Sequence, residues 1–225
     1  MPKSNPTLLI PTILSRLRPL YLVEPPRRTD PLTELVYTVL SQHTSDANSV
    51  PAGDELIGRF GSWERIAKAN VDDVADAIRR GGLAQLKAKR IQAILREIKS
   101  KRGKYDLSFL KDMPLEDARE WLSSLNGVGP KTAACVLLFS LNMPALPVDT
   151  HVYRVAQRLR LIGRKVTPAQ AHATLEAMLK PADVLAFHVL LITHGRQVCK
   201  AQRPLCLRTD TCGSLSLRVV SCCNG

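Results

Sequence analysis

Ten residues, Leu125 to Ala134 (LNGVGPKTAA), restrict the folds open to this chain more than any other stretch. Gly127 and Gly129 stand two apart, and neither is at ease inside a helix. Pro130 follows at once and suits the first turn of a new helix, where a missing N–H costs nothing. The stretch therefore reads as helix, tight Gly-x-Gly hairpin, helix. The amides of Gly127 and Gly129, with those opening the second helix, make a place for a phosphate. Lys131 falls in that first turn and has two readings. One is a phosphate contact. The other is an amine nucleophile, because the positive end of a helix disfavours the ammonium form.

Composition sets the partner class. The 225 residues suit one large domain or two small ones, and 45% apolar residues are ample for a core. A net charge of +12 and a pI near 9.8 call for an anionic partner, with DNA or RNA first. Only 4% of residues are aromatic, which argues against single-strand binders built on stacking platforms and leaves duplex binding open. The N-terminus lacks the compact apolar core and small-residue site of a signal peptide. The apolar runs at 133–139 and 184–192 are too short to span a bilayer. A cytosolic, reducing location follows, in which six cysteines suggest metal binding and not disulfides.

In chain order, residues 6–21 read as a short amphipathic helix with Leu9, Ile13, Leu17 and Leu20 on one face. Residues 24–30 form a linker by composition. Asp30-Pro31 caps a helix running through Leu40. Its end, SQHTSD (Ser41 to Asp46), is a polar cluster that fits a solvated cap. Residues 56–60, 66–69 and 71–78 read as short helices. Gly81-Gly82 closes one helix and Ala84 opens another, leaving Leu83 exposed at the tip of the turn. Lys87, Lys89 and Arg90, then Lys99, Lys101, Arg102 and Lys104, read as solvated faces with a few phosphate contacts. Residues 115–125 lead into the hairpin. Residues 131–141 leave it as a helix with Val136, Leu137 and Phe139 inward and Cys135 a buried thiol. Thr167-Pro168 starts a helix to about Leu179, and 181–192 is the last apolar helix. No strand pattern persists before the tail.

Eighteen residues beyond Lys131, PVDTHVYRV places Asp149 just ahead of an apolar-periodic run, as a helix N-cap. His151 fits capping or packing, or a contact with DNA. Together, LNGVGPKTA and VDTHVYRV resemble the helix-hairpin-helix DNA glycosylases, and most closely the endonuclease III family. The resemblance runs from about Asp30 to Cys206. It implies that Lys131 is the nucleophile and Asp149 the essential carboxylate. The SQ-x-T motif implies that Gln42 fills the hole left by an extruded nucleotide, an amide being both donor and acceptor. The G-L turn implies that Leu83 is an apolar wedge between base pairs. The residue after it, often tyrosine in relatives, is Ala84 here.

LITHGRQVC, ending at Cys199, resembles the lead into the iron–sulfur cluster of endonuclease III, and Cys199 to Cys206 matches its Cys-x6-Cys spacing. The family continues Cys-x2-Cys-x5-Cys, where this chain has Thr209 and Leu215. Cys212, Cys222 and Cys223 stand further on. A [4Fe–4S] cluster needs four thiolates: Cys199, Cys206 and Cys212, with Cys222 or Cys223 as the fourth. A metal-free knob or a zinc site are the alternatives. Lys200, Arg203 and Arg208, between the thiols, form a phosphate-gripping loop under any of these.

The expectation is an all-α, two-lobed helix-hairpin-helix fold with a C-terminal iron–sulfur-type loop. Residues 30–143 form one lobe, 1–29 with 144–225 the other, and the cleft between holds Lys131 and Asp149. Gly127 and Gly129 contact the DNA backbone. The implied enzyme is a monomeric bifunctional glycosylase and AP lyase that excises oxidised pyrimidines from duplex DNA in base excision repair. It acts in the cytoplasm, on the nucleoid if bacterial, with no membrane partner. A monofunctional mismatched-base or alkylated-base glycosylase and a non-catalytic DNA-binding module are the competing readings.

Overall fold

The computed structural model describes residues 6–24 and 29–205. Among them every regular element is helical. No described helix is long and apolar enough to cross a membrane. The chain divides into two compact units, Met1–Pro25 with Pro144–Gly225, and Pro26–Met143.

The first helix, α1 (Ile10–Leu17), buries Ile10, Ile13, Leu14 and Leu17. It stops short of the expected end, and Leu20, expected on the inner face, is 43% exposed beyond it.

The 26–143 unit is built on α2 (Pro31–Ser41), whose buried Leu32, Leu35, Val36, Val39 and Leu40 are each worth roughly 1.5–3 kcal/mol. Asp30 caps it, one carboxylate oxygen accepting from the amides of Leu32 and Thr33 at 3.1 and 3.0 Å. Then come α3 (Asp46–Phe60), α4 (Trp63–Lys68) and α5 (Val71–Ala77). α3 begins ten residues ahead of the expected 56–60 segment. Its first half buries Ser49, Ala52 and Gly53, small residues with no apolar period, and it tolerates Pro51 at the loss of one helical hydrogen bond. Gly53 lies against the Tyr37 ring, where a Cβ would come within 2.6 Å.

α6 (Ala84–Arg102) crosses the unit with Ala88, Ile91, Leu95 and Ile98 inward at helical spacing. Gln92 donates from it to the carbonyls of Ile66 and Ala69 at 2.9 and 2.8 Å, and so caps the end of α4. α7 (Leu115–Ser123) leads to the hairpin and α8 (Pro130–Cys135) leaves it. At Val136 the helix widens into a π turn, Val136–Ser140. The wider turn shifts the inward face, so Leu138 is buried and Phe139 is only partly covered, against expectation.

In the other unit α9 (Thr150–Arg158), α10 (Pro168–Glu176) and α11 (Val184–Gln197) join α1. Thr167 and Gln170 form a reciprocal capping box at the start of α10. α9 and α11 pack closely through Gly195, where a Cβ would meet the His151 Cβ at 2.9 Å. α1 packs on α11.

Candidate active site

Lys131 belongs to one unit and Asp149 to the other. In the first, the hairpin turns at Gly127, whose φ of +86° is a left-handed conformation that glycine adopts freely. The Val128 amide closes the turn on the Leu125 carbonyl at 3.0 Å, and both side chains are buried. Gly129 is extended and caps α8, with open space where a Cβ would stand. Lys131, in the first turn, is half-buried.

Glu34, on α2, feels the Lys131 charge. Burial pushes the Glu34 carboxyl up, while hydrogen bonds from Thr29 and Thr38 and the Lys131 ammonium pull it down. The two hydroxyls donate at 3.2 and 3.3 Å. No charge pattern in the sequence marks Glu34, because its proximity to Lys131 comes from the packing of α2 on α8.

Gln42 ends α2 and is half-buried. Arg90 Nη1 donates to its Oε1 at 2.6 Å, and its Nε2 reaches Thr132 Oγ1 at 3.4 Å. The Gln42 amide thus sits beside α8, the helix that carries Lys131. Leu83 stands at the tip of its turn with φ +49° and is 55% exposed. Leu86, three residues on, is 53% exposed and was not singled out from the sequence.

Of the cations expected on solvated faces, Lys87 is buried and Arg90 is half-buried and bound to protein groups. Lys87 is 2% exposed, and its ammonium donates to the Leu40 carbonyl, Thr44 Oγ1 and the Gly81 carbonyl. Arg90 lies against Gly127, where a Cβ would come within 2.9 Å of its Cδ. Both departures have one cause: α6 packs beside α2, so its polar face meets carbonyl and amide oxygens before it meets water. Lys89 is exposed, as expected.

In the second unit Asp149 caps α9, its Oδ1 accepting from the Val152 amide at 2.7 Å. The segment leading to it is pinned by three side chains. Glu176 accepts from the Leu146 amide at 2.6 Å. His172 Nδ1 donates to the Leu146 carbonyl and His188 Nδ1 to the Pro147 carbonyl, each at 2.9 Å. A carbonyl only accepts, so each Nδ1 carries the proton. These three residues were missed because nothing local in the sequence links 172, 176 and 188 to 146 and 147. His151 is half-buried, takes a hydrogen bond from Arg154 at 3.1 Å and backs onto Gly195, which is the packing role.

Cys199 is buried, with Arg158 Nη1 at 3.3 Å from its Sγ. Arg158 also donates to the Lys200 carbonyl at 2.7 Å, and Arg154 to the Cys199 carbonyl at 2.9 Å. Lys200 and Arg203 are exposed on the turn that follows. Cys206, Cys212, Cys222 and Cys223 lie outside the described residues, as does Arg208. Among the described residues no three metal-ligating side chains cluster.

A two-unit helical fold carrying a Gly-x-Gly hairpin is the architecture of the helix-hairpin-helix repair proteins. Residues 36–181 match the family described as HhH-GPD superfamily base excision DNA repair protein. The chain is 36% identical to endonuclease III of Thermotoga maritima over 181 residues, 80% of each protein. A relative from Arabidopsis thaliana is 35% identical over 165 residues, and the chain spans 56% of that longer protein. Among solved structures, a trapped covalent intermediate of endonuclease III with DNA, an estranged-adenine complex, superposes with a TM-score of 0.78. It is 25% identical, and the match covers 90% of this chain and 92% of that one. The chain belongs to the HhH-GPD superfamily of base excision DNA repair proteins, as an endonuclease III-like helix-hairpin-helix glycosylase. Its enzyme class is that of a DNA glycosylase with AP lyase activity.

Proposed function

We propose that the protein excises oxidised pyrimidines from duplex DNA and nicks the resulting abasic site, with Lys131 and Asp149 acting on the same everted nucleotide. The observation that carries this reading is Lys131 in the first turn after the hairpin, half-buried and beside a glycine with open space over it. An amine held there is within reach of a backbone gripped by the hairpin amides of Gly127 and Gly129. The covalent endonuclease III intermediate among the structural neighbours supports the same chemistry.

The neutral Lys131 amine attacks C1′ of the everted nucleotide, the N-glycosidic bond breaks and the base leaves with a proton. The C1′–O4′ bond then breaks, O4′ takes up a solvent proton and stays on C4′ as a hydroxyl, and Lys131 is left joined to C1′ as a protonated imine. The imine acidifies C2′, whose proton passes to water, and the C3′–O bond breaks to release the 3′ phosphate; water then hydrolyses the imine and returns the Lys131 amine. Asp149 stabilises the positive charge that develops on the sugar. Gln42 fills the vacated position in the duplex, Leu83 wedges the neighbouring step, and Lys200 and Arg203 hold phosphate.

The buried Cys199 Sγ, just past the end of α11 and 3.3 Å from Arg158 Nη1, supports a place for this residue among the cluster ligands. Cys199, Cys206, Cys212 and Cys222 would hold a [4Fe–4S] cluster, which supplies a cross-link between α11 and the chain beyond it. The protein acts as a monomer in the cytoplasm, on the nucleoid in a bacterial cell.

The test is incision of a duplex carrying one thymine glycol against the same duplex undamaged, with borohydride present to trap the imine. Wild type incises and traps only the damaged strand. Lys131→Ala binds DNA and traps nothing, and Asp149→Asn folds without excising. Trapping by Lys131→Ala at the wild-type level removes Lys131 from the reaction. Equal incision of both duplexes removes the damage specificity.

A further inference from the structure

Gln42 and Leu83 stand on two separate turns, one after α2 and one before α6. The two turns are tied together. The Lys87 ammonium lies between them, at 2.6 Å from the Leu40 carbonyl, 2.9 Å from Thr44 Oγ1 and 2.7 Å from the Gly81 carbonyl. An ammonium has three donors, and these three oxygens use all of them. The Thr44 hydroxyl in turn donates to the Gly81 carbonyl, which closes a ring of contacts across the two turns.

Three residues further along the same helix, Arg90 grips Gln42. A guanidinium has donors only, so at 2.6 Å it selects the oxygen end of the amide and turns the NH2 toward Thr132. The stem of Arg90 lies on Gly127, so the same side chain also touches the hairpin.

We propose that Lys87 and Arg90 are positioning residues, which hold the Gln42 and Leu83 turns at a set separation and set the orientation of the Gln42 amide before DNA arrives. The proposal rests on the reading that Gln42 and Leu83 enter the duplex. Two side chains that must enter one duplex at neighbouring steps gain from being ordered beforehand, because ordering them on binding would weaken the complex. Lys87 is enclosed between the turns and Arg90 is bound to Gln42, so both would act through these turns and not on the reacting atoms.

The test compares Arg90→Met, Thr44→Val, Thr44→Ser and Lys87→Met, with Gln42→Ala and Leu83→Ala as references for the insertion reading. One readout is the ratio of excision from a duplex to excision from a single strand with the same lesion, which has no hole to fill. The other is the fluorescence of 2-aminopurine placed opposite the lesion, which reports the estranged base. Thermal unfolding is measured for each variant. The expected result is that Arg90→Met and Thr44→Val lower the duplex-to-single-strand ratio by about tenfold and reduce the fluorescence change. Thr44→Ser, which keeps the hydroxyl, restores both. Lys87→Met behaves like Thr44→Val where it folds, and Thr44→Val carries the comparison where it does not.

If the references lose the ratio while Arg90→Met and Thr44→Val keep it, the positioning role is wrong. An equal loss on duplex and single strand in those two variants marks a general structural role and also overturns it. If Gln42→Ala and Leu83→Ala change neither readout, the insertion reading itself falls, and the proposal with it.

Discussion

Glu34 shows how one residue can be tuned by neighbours that the sequence keeps far apart. Burial holds its carboxyl above the ordinary 4.5, with Thr29, Thr38 and Lys131 opposing. A raised carboxyl lends stability that is fully present below its unfolded pKa and lost as pH rises through the folded one. Glu34→Gln should therefore gain on wild type as pH rises from about 4 to neutrality, read as the difference in Tm. Parallel Tm curves would show that burial does not dominate. Asp149 makes the complementary case. Asp149→Ala loses the bond to the Val152 amide and should cost about 1 kcal/mol in denaturant unfolding, whereas Asp149→Asn keeps the cap and the stability. Lost excision in the asparagine variant then reports chemistry and not folding. The cap at Asp149 was legible, because an acidic residue ahead of an apolar period has a local cause. Lys87 was not, because the carbonyls that receive its ammonium stand at positions 40 and 81, and Lys89 and Arg90 close by make the stretch look like a solvated basic face.

At the scale of elements, glycines sort into those that buy close approach and those that do not. A Cβ at 195 would meet His151 at 2.9 Å and Val155 at 3.2 Å, so Gly195→Ala should lower stability by about 1–3 kcal/mol. Gly58, inside α3 with nothing within 4 Å, should accept alanine with a gain of about 0.4–1 kcal/mol. Chemical denaturation of the two variants checks both signs. The helices with a local signal at their start were read correctly from residue order: Asp30 before α2, Pro130 before α8, Thr167 before α10. The first half of α3 and the π turn after α8 were not. α3 there is polar and holds a proline, and its inner face is small residues, of which Gly53 fits against Tyr37. The π turn is a packing response, which no residue in VLLFS announces.

At the scale of the whole molecule, a charge of +12 makes DNA affinity strongly salt-dependent. The Lys200→Ala/Arg203→Ala double variant should weaken binding evenly across sequences and flatten the slope of log affinity against log salt by roughly 1–2. Titrations between about 50 and 200 mM salt measure it. An unchanged slope would take both residues out of the interface. Cys199→Ser should lose protein-bound iron and its broad visible absorbance, if that buried thiol is a cluster ligand. The all-helical class and the family were legible from two short motifs. The arrangement around Gln42 was not, since it joins side chains from α6 and α8 that only the folded unit brings near α2.

The Lys87 ammonium is enclosed between the two turns. An acylating reagent needs a free amine, and Lys87 offers one only while those turns are apart. Its modification rate, followed by peptide mass spectrometry beside that of the exposed Lys89, becomes a clock for how often this face of the protein opens. Binding of a damaged duplex should slow that clock.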